Sequence, residues 1–141
     1  MSEKRKHPLL LGIIGSPLGH SLSPLLHNWA LDQAGLKGVY LAWPLSADQL
    51  GAFMLSMRVL NIQGCSVTIP YTQKVIPFLD GLTDLARETG AVNTLFWKNG
   101  RLWGDNTDCA GFLAPLRSLG QVPDSVLILG GGGAALACVA A

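Results

Sequence analysis

The sequence is poor in charged residues, and the few it has are nearly balanced in sign. Only 13% of its 141 residues are charged, and ten Lys and Arg face nine Asp and Glu, for a net charge of +1. The one basic cluster is Lys4-Arg5-Lys6, at the amino terminus. Proteins that bind nucleic acid need a stripe or patch of basic side chains. We therefore expect no nucleic-acid partner.

The sequence also lacks a hydrophobic run of membrane-spanning length. Leu9 to Ile14 follows the basic cluster and superficially suggests a signal peptide. The run is too short, and Gly15-Ser16-Pro17 continues it without a small-residue cleavage pattern. We interpret it as a buried first strand and expect no membrane partner.

Cysteine is scarce and shows no metal-binding pattern. Cys65, Cys109 and Cys138 are odd in number and far apart in sequence, so they match no known metal-ligand spacing. Of the histidines, His20 precedes Pro24 and is expected in a loop, so it does not share a helix with His27. We expect no metal site, and we expect the cysteines to be small core residues in a reducing cytoplasm.

Apolar residues make up 49% of the chain, enough for a substantial core. Strand-like and helix-like segments alternate, which is typical of an α/β fold with a mixed, largely parallel sheet flanked by helices. Strands are predicted at residues 9–14, 39–43 and 64–68, followed by a hairpin of 91–96 and 102–104 around Asn99-Gly100. Helices are predicted at residues 24–34, 46–60, from Pro70 and at 84–90. A last helix is predicted to reach about Leu119 after caps at Asn106-Thr107-Asp108.

Local signals support several of these helix ends. Ser23 is suited to the N-cap, Pro24 to the first helical position and Gly35 to the C-terminal stop. Ser46 to Gln49 has the spacing of a capping box. Pro115 is expected to kink or divide the last of these helices.

A glycine run near the carboxyl terminus predicts a second domain. Leu127-Ile128-Leu129 reads as a strand that turns through Gly130 to Gly133 into a helix, as in a Rossmann-type unit. Such a unit needs about 30 residues. We therefore expect one domain over residues 1–120 and, after a linker at 121–124, only the start of a dinucleotide-binding domain over 121–141.

Four polar clusters fall where predicted strands end and helices begin, at residues 15–23, 66–72, 93–94 and 105–108. Ligands bind at this edge of open α/β sheets. Each cluster has a structural alternative: Ser23 as a helix cap, Asn93 as a turn residue, and Asp108 as a charge at a helix start. Their coincidence favours a binding site.

Together these segments resemble the shikimate dehydrogenase family. The matching segments are residues 15–28 (GSPLGHSLSPLLHN), 67–70 (VTIP), 90–94 (GAVNT), 104–108 (GDNTD) and the glycine run 130–134. The resemblance implies NADP-dependent interconversion of 3-dehydroshikimate and shikimate, a step of chorismate and aromatic amino-acid biosynthesis. It also implies that the amino-terminal domain binds the substrate and the carboxy-terminal domain the cofactor. A homodimer is also expected as one possible assembly.

The resemblance also assigns roles to individual residues. Ser21 and Ser23 are similar to the pair that binds the substrate carboxylate, and Thr68, Asn93 and Asp108 to the residues that hold its ring hydroxyls. Asp108 is also similar to the acidic member of a catalytic Lys/Asp pair. The cofactor-binding positions are Gly130, Gly131, Gly132, Gly133 and Ala134.

Two positions depart from the family pattern. Thr72 stands where the family has its catalytic lysine, and Lys74 would lie about 200° around a helix from it. Threonine can donate a hydrogen bond but supplies no cation, and loss of a positioned acid or base costs about 100-fold to 10,000-fold in rate. Ser66 stands where the family usually has asparagine, which shortens a substrate contact.

Three functions remain open at this point. The chain is either part of an NADP-dependent shikimate dehydrogenase, inactive by itself, or a non-catalytic paralogue that binds shikimate or quinate, or part of a quinate/shikimate dehydrogenase. NAD as the cofactor also remains open, because the residues that would choose between NADP and NAD lie beyond Ala141.

Overall fold

A computed structural model of the chain describes residues 7–118, 120 and 125–141. The chain divides into two compact units, Met1–Tyr71 and Thr72–Ala141. Each contains strands of a sheet and flanking helices, and the whole is an α/β fold with parallel and antiparallel strands. The predicted fold class is confirmed.

Unit 1 is built from alternating strands and helices. Its elements are β1 (Leu9–Gly15), α1 (Ser23–Gln33), β2 (Gly38–Pro44), a 3-10 turn (Ala47–Gln49) that leads into α2 (Leu50–Val59), and β3 (Gly64–Val67). β1 pairs in parallel with β2 on one side and with β3 on the other. This position explains the continuous apolar sequence of β1, since strands in parallel sheets are covered on both faces.

In its described residues, unit 2 contains a hairpin and three helices. Its elements are a 3-10 turn (Ile76–Phe78), β4 (Gly81–Leu82), α3 (Asp84–Thr89), β5 (Thr94–Lys98), β6 (Arg101–Asp105), α4 (Asp108–Ser118) and α5 (Gly133–Ala140). β6 pairs antiparallel with β5 and parallel with β4. Asn99 and Gly100 both have positive φ, as the predicted two-residue hairpin turn requires.

Each unit has its own buried side chains. The largest that are fully buried are Ile14, Met57, Ile62 and Tyr71 in unit 1, and Val75, Val92, Leu95, Leu102 and the polar Asn106 in unit 2. In unit 1, α1 packs on β1 and β2. In unit 2, α3 packs on β4 and β6, and α5 packs on α3 and α4.

Most predicted helix signals are confirmed. Gly35 follows the end of α1, where its N–H donates to Asp32 O while the N–H of Leu36 donates to Leu31 O, the two bonds of a Schellman motif. The capping box forms, because the Ser46 N–H donates to Gln49 Oε1 at 2.9 Å and the reciprocal bond is present. α4 runs uninterrupted through Pro115, so the proline does not divide it.

The N-cap prediction for Ser23 is wrong. Ser23 is the first residue of α1, and Leu22, with backbone dihedrals already near helical values, occupies the N-cap position. The helical hydrogen bonds begin one residue earlier than expected, with the Leu26 N–H donating to Leu22 O. The Ser23 N–H therefore lies in the first turn and has no partner within the helix. Ser21 Oγ accepts it at 3.3 Å.

Two further elements differ from prediction. No helix begins at Pro70: residues 72–75 form turns that lead into the 3-10 turn Ile76–Phe78. Pro77 explains this, since it lacks an N–H and clashes with the preceding turn of an α-helix. The strand predicted at Leu127–Leu129 does not form either, since residues 125–130 are described without strand pairing.

Smaller differences lie at element ends. The first hairpin strand begins at Thr94 rather than residue 91. α4 begins at Asp108, within the segment 106–108 that was predicted to cap it. The predicted linker, residues 121–124, and the predicted helix end at Leu119 lie outside the described residues. The predicted domain boundary after residue 120 stays a prediction.

Candidate functional site

In unit 1, Gly15 ends β1 beside the loop that carries Thr68. The Thr68 N–H donates to Ile14 O at 2.9 Å, so the residue continues the β1–β3 pairing just past the end of β3. A Cβ on Gly15 would lie 2.4 Å from Thr68 Cγ2, 2.9 Å from Leu18 Cδ2 and 3.1 Å from Ile69 O. Only glycine permits this approach, and the contact places Thr68 at the carboxyl edge of the strands.

Ser21 and Ser23 lie at the start of α1. The Ser21 N–H donates to Leu18 O at 3.0 Å, and Ser21 Oγ accepts the Ser23 N–H. Both serines are half-buried. Serine hydroxyls next to the first turn of a helix can donate to an anion, which the helix dipole also favours.

Ser66 lies in β3 and is hydrogen-bonded to a tyrosine that sequence reasoning missed. The Tyr40 hydroxyl donates to Ser66 Oγ at 2.7 Å, and the Tyr40 ring stacks on His27 at 4.3 Å between centroids. Burial raises the pKa of the Tyr40 phenol. The sequence did contain a signal for this contact: Tyr40 lies inside a predicted strand, and a buried tyrosine hydroxyl needs a hydrogen-bond partner.

In unit 2, two predicted site residues are directly bonded. Asn93 Nδ2 donates to Asp108 Oδ1 at 2.7 Å. Asn93 Oδ1 accepts three bonds, from Thr94 Oγ1 at 2.9 Å, Thr107 N at 3.0 Å and Thr107 Oγ1 at 3.1 Å. These contacts fix which way the amide faces. Asn93 is therefore a donor and Asp108 an acceptor toward anything bound beside them.

Asn106 holds Asp108 in place and was interpreted from sequence only as a helix cap. Its side chain is buried, 2% exposed, and its Oδ1 accepts the Asp108 N–H at 3.0 Å. Its Nδ2 donates to Thr89 Oγ1 and to Ala91 O, both at 3.2 Å. A buried amide with all these partners fixes the first turn of α4, and with it the carboxylate of Asp108.

Thr72 is half-buried, and its carbonyl accepts the Val92 N–H at 2.8 Å. A Cβ on Gly133 would lie 3.7 Å from Thr72 Oγ1, so the hydroxyl lies near the start of α5. The expected rotation of about 200° between Thr72 and Lys74 assumed an α-helix. Residues 72–75 form turns instead, so that rotation does not apply to Lys74. Lys74 is exposed.

The predicted cofactor glycines lead into α5 as expected, although the preceding strand is missing. Leu127 and Leu129 are 84% and 89% exposed. Gly132 is the N-cap of α5 and Gly130 has a φ of 128°. A Cβ on Gly130, Gly131 or Gly132 would meet no atom within 4 Å in the described part of the chain. The backbone of the glycine run is therefore open to approach by a ligand.

Three further observations concern metal ligands, long apolar helices and thiols. Among the described residues, no group of three or more His, Cys, Asp or Glu side chains could hold a metal ion. Within the same ranges, no helix is long and apolar enough to cross a bilayer. Cys65 and Cys109 are buried, and burial raises the pKa of the Cys65 thiol to about 12. A thiol that stays protonated is a poor nucleophile.

Comparison with known proteins identifies close relatives. Residues 13–95 match the family model of the shikimate dehydrogenase substrate binding domain. The shikimate dehydrogenase (NADP(+)) of Oleidesulfovibrio alaskensis is 52% identical over 132 residues, which are 94% of this chain and 47% of that protein. The chain spans about half the length of the curated relatives it matches.

Solved structures agree with the sequence matches. Shikimate dehydrogenase from Aquifex aeolicus superimposes with a TM-score of 0.88 at 42% identity, over 94% of this chain and 51% of that one. The Thermus thermophilus enzyme in complex with NADP(H) and shikimate gives a TM-score of 0.85 at 37% identity, over the same shares of the two chains.

Proposed function

Because this chain belongs to the shikimate dehydrogenase family, we propose that it is the substrate-binding part of an enzyme that interconverts 3-dehydroshikimate and shikimate with NADP(H). The observation that carries the proposal is the Asn93–Asp108 hydrogen bond, in a chain whose residues 13–95 match the family's substrate binding domain. The shikimate bound to the T. thermophilus relative supports the choice of ligand.

We assign Asn93 and Asp108 to a ring hydroxyl of the substrate. A hydroxyl both donates and accepts, and this pair offers one of each: the amide N–H of Asn93 and the carboxylate of Asp108. The hydrogen-bonded frame around them is already formed, so binding requires little reordering of either side chain. Thr68 is assigned to the hydroxyls as well, and Ser66 to a further substrate contact.

Ser21 and Ser23 are assigned to the substrate carboxylate. Their hydroxyls lie at the start of α1, where the partial positive charge of the helix dipole adds to hydrogen-bond donation. A hydroxyl that donates to a carboxylate makes a charge-assisted bond, which is about twice as strong as a neutral one.

Asp108 is assigned the acid-base role. Reduction of the substrate ketone needs a hydride and a proton at the carbonyl oxygen, and NADPH supplies the hydride when bound. The Asp108 carboxylate, oriented by Asn93 and Asn106, accepts and returns a proton at the substrate oxygen. Thr72 can donate a hydrogen bond to that oxygen but brings no cation to stabilise it.

We assign the cofactor pyrophosphate to residues Gly130 to Ala134. The open space around Gly130, Gly131 and Gly132 fits a backbone that must approach a phosphate closely, and the first N–H groups of α5 are suited to bind it. The NADP(+) in the names of the curated relatives supports NADP over NAD.

A substitution at Thr72 tests the enzymatic role. We would join this chain to the carboxy-terminal half of the O. alaskensis enzyme and measure NADP-dependent shikimate oxidation for the Thr72 form, T72K and T72S. Restoring a cationic acid should raise the rate about 100-fold or more, with shikimate affinity little changed. T72S keeps the hydroxyl and should leave the rate low. K74A, in the Thr72 form, tests whether Lys74 supplies any residual activity.

A second candidate function is favoured by the same residue. Thr72, together with Ser66, fits a non-catalytic protein that binds shikimate or quinate without oxidising it. The joined protein could bind shikimate while neither its Thr72 form nor its T72K form oxidises shikimate or quinate. In that case the non-catalytic binding function replaces the enzymatic one.

We also propose a cytoplasmic location, which the unpaired thiols of Cys65, Cys109 and Cys138 support. Homodimer formation stays a prediction, and light scattering of the purified protein would test it.

A further inference from the structure

We propose that Tyr40 is a positioning residue for the substrate: its hydroxyl orients Ser66 so that the Ser66 hydroxyl donates a hydrogen bond to the bound hydroxy acid. The inference rests on the proposed substrate contact of Ser66. Tyr40 would determine whether the Ser66 hydroxyl is free to donate its proton to the substrate.

The Tyr40–Ser66 bond connects two strands that are not neighbours. Tyr40 lies in β2 opposite Leu11 of β1, and Ser66 lies in β3 opposite Ile13 of β1. The phenol therefore reaches across β1 to donate to Ser66 Oγ at 2.7 Å. A contact of this length between strands two places apart requires a large side chain held in one orientation.

Several contacts hold Tyr40 in that orientation. Asn28 Oδ1 accepts the backbone N–H of Tyr40 at 2.8 Å, and Asn28 Nδ2 donates to the backbone O of Tyr40 at 2.9 Å, which anchors the backbone from which the side chain extends. The His27 ring stacks on the phenol with an interplanar angle of 14°, and Ile13 and Leu18 lie in the same buried cluster. Tyr40 is only 4% exposed, so its ring has little freedom to turn away from Ser66.

The chemistry of a serine hydroxyl gives this bond a direction. The oxygen can accept two hydrogen bonds, and the O–H can donate one. Because the phenol donates to Ser66 Oγ, the proton of Ser66 is not used in this bond. The half-buried hydroxyl can then donate it to a substrate oxygen, and donation by the phenol strengthens that bond through cooperativity.

Binding measurements on the whole 141-residue chain test the inference. We would measure shikimate affinity by calorimetry for the wild-type chain, Y40F, S66A and Y40F/S66A. Loss of one such bond should weaken affinity about five-fold. We expect Y40F and S66A to weaken it by similar factors, and the double variant to bind no worse than S66A alone, since both changes remove one coupled unit.

Tyr71 provides a matched control. It is buried, and its hydroxyl donates to Leu45 O at 2.6 Å, a backbone partner outside the proposed substrate contacts. Y71F therefore removes a buried phenol hydroxyl, as Y40F does, and should leave shikimate affinity unchanged. A loss of affinity in Y71F equal to that in Y40F would show a general structural effect and overturn the inference.

A second measurement does not depend on Y40F folding. The chain contains two tyrosines, so a Y71F chain grown with 3-fluorotyrosine carries fluorine at Tyr40 alone. Saturating shikimate should shift this fluorine resonance in the Ser66 protein, and the shift should be lost in S66A. A resonance that does not move on binding would overturn the inference.

The remaining outcomes are distinct. If the wild-type chain shows no binding at millimolar shikimate, the proposed function itself fails. If the wild-type chain binds and S66A weakens binding while Y40F does not, or if the two effects simply add, Ser66 acts without Tyr40 and this inference alone fails.

Discussion

Substitution of Gly15 by alanine should damage both stability and substrate binding. The new Cβ would lie 2.4 Å from Thr68 Cγ2 and 2.9 Å from Leu18 Cδ2, distances that real Cβ atoms do not tolerate. Thr68 is β-branched and stiff at χ1, so its methyl group cannot rotate away freely. The third contact, 3.1 Å to Ile69 O, is with backbone. The overlap of the new Cβ with these atoms can therefore be relieved only by a shift of the loop that carries Thr68.

The expected cost is that of overpacking a well-packed region, about 1–3 kcal/mol of unfolding free energy. With a urea m-value of about 2 kcal/mol/M for a domain of this size, the unfolding midpoint should fall by about 0.5–1.5 M. Urea titration followed by tryptophan fluorescence measures the midpoint. Shikimate affinity, measured by calorimetry, should fall as well because Thr68 moves.

Gly19 provides the control within the same segment. A Cβ there would meet no atom within 4 Å among the described residues, so G19A should change the unfolding free energy by less than about 0.5 kcal/mol. If G15A retained the wild-type midpoint and shikimate affinity, the close packing of Gly15 against Thr68 could not be what positions the threonine.

Two further predictions concern buried polar groups. N106A should lower the unfolding free energy by about 1–3 kcal/mol in urea titration, since it removes the two buried hydrogen bonds that Asn106 Nδ2 donates to Thr89 Oγ1 and Ala91 O; a loss below about 0.5 kcal/mol would contradict the role given to Asn106. Because burial raises the pKa of Cys65 to about 12, its thiol stays protonated at pH 8, and mass spectrometry should find it unmodified by iodoacetamide until urea unfolds the chain. Rapid labelling of Cys65 in the native chain would contradict that burial.

The helix and strand pattern followed from local sequence, and so did most element ends. The capping box at Ser46, the stop at Gly35 and the Asn99-Gly100 turn depend on interactions within a few residues, which is why they were predictable. Local rules failed at Ser23, where the helical bonds begin one residue early, and at Pro70, where Pro77 prevents the predicted helix.

The candidate site was predictable as a list of residues but not as an arrangement. The family resemblance selected Asn93 and Asp108, whereas their direct bond and the supporting amide of Asn106 depend on where the β5–β6 hairpin places α4. Likewise, no local pattern relates Tyr40 to Ser66, which are 26 residues apart. Such pairs are set by strand order and register.

The alternation of strands and helices, the family and the residue types available for chemistry were therefore readable from the amino-acid sequence alone. These depend on hydrophobic periodicity, turn residues and short motifs, all of which are local. The pairs of residues that come into contact depended on the folded chain: Tyr40 with Ser66 and Asn93 with Asp108 through hydrogen bonds, and Gly15 with Thr68 through close packing. The reason is physical, since hydrogen bonds and close contacts act over about 3–4 Å, and only the folded chain brings distant residues within that range.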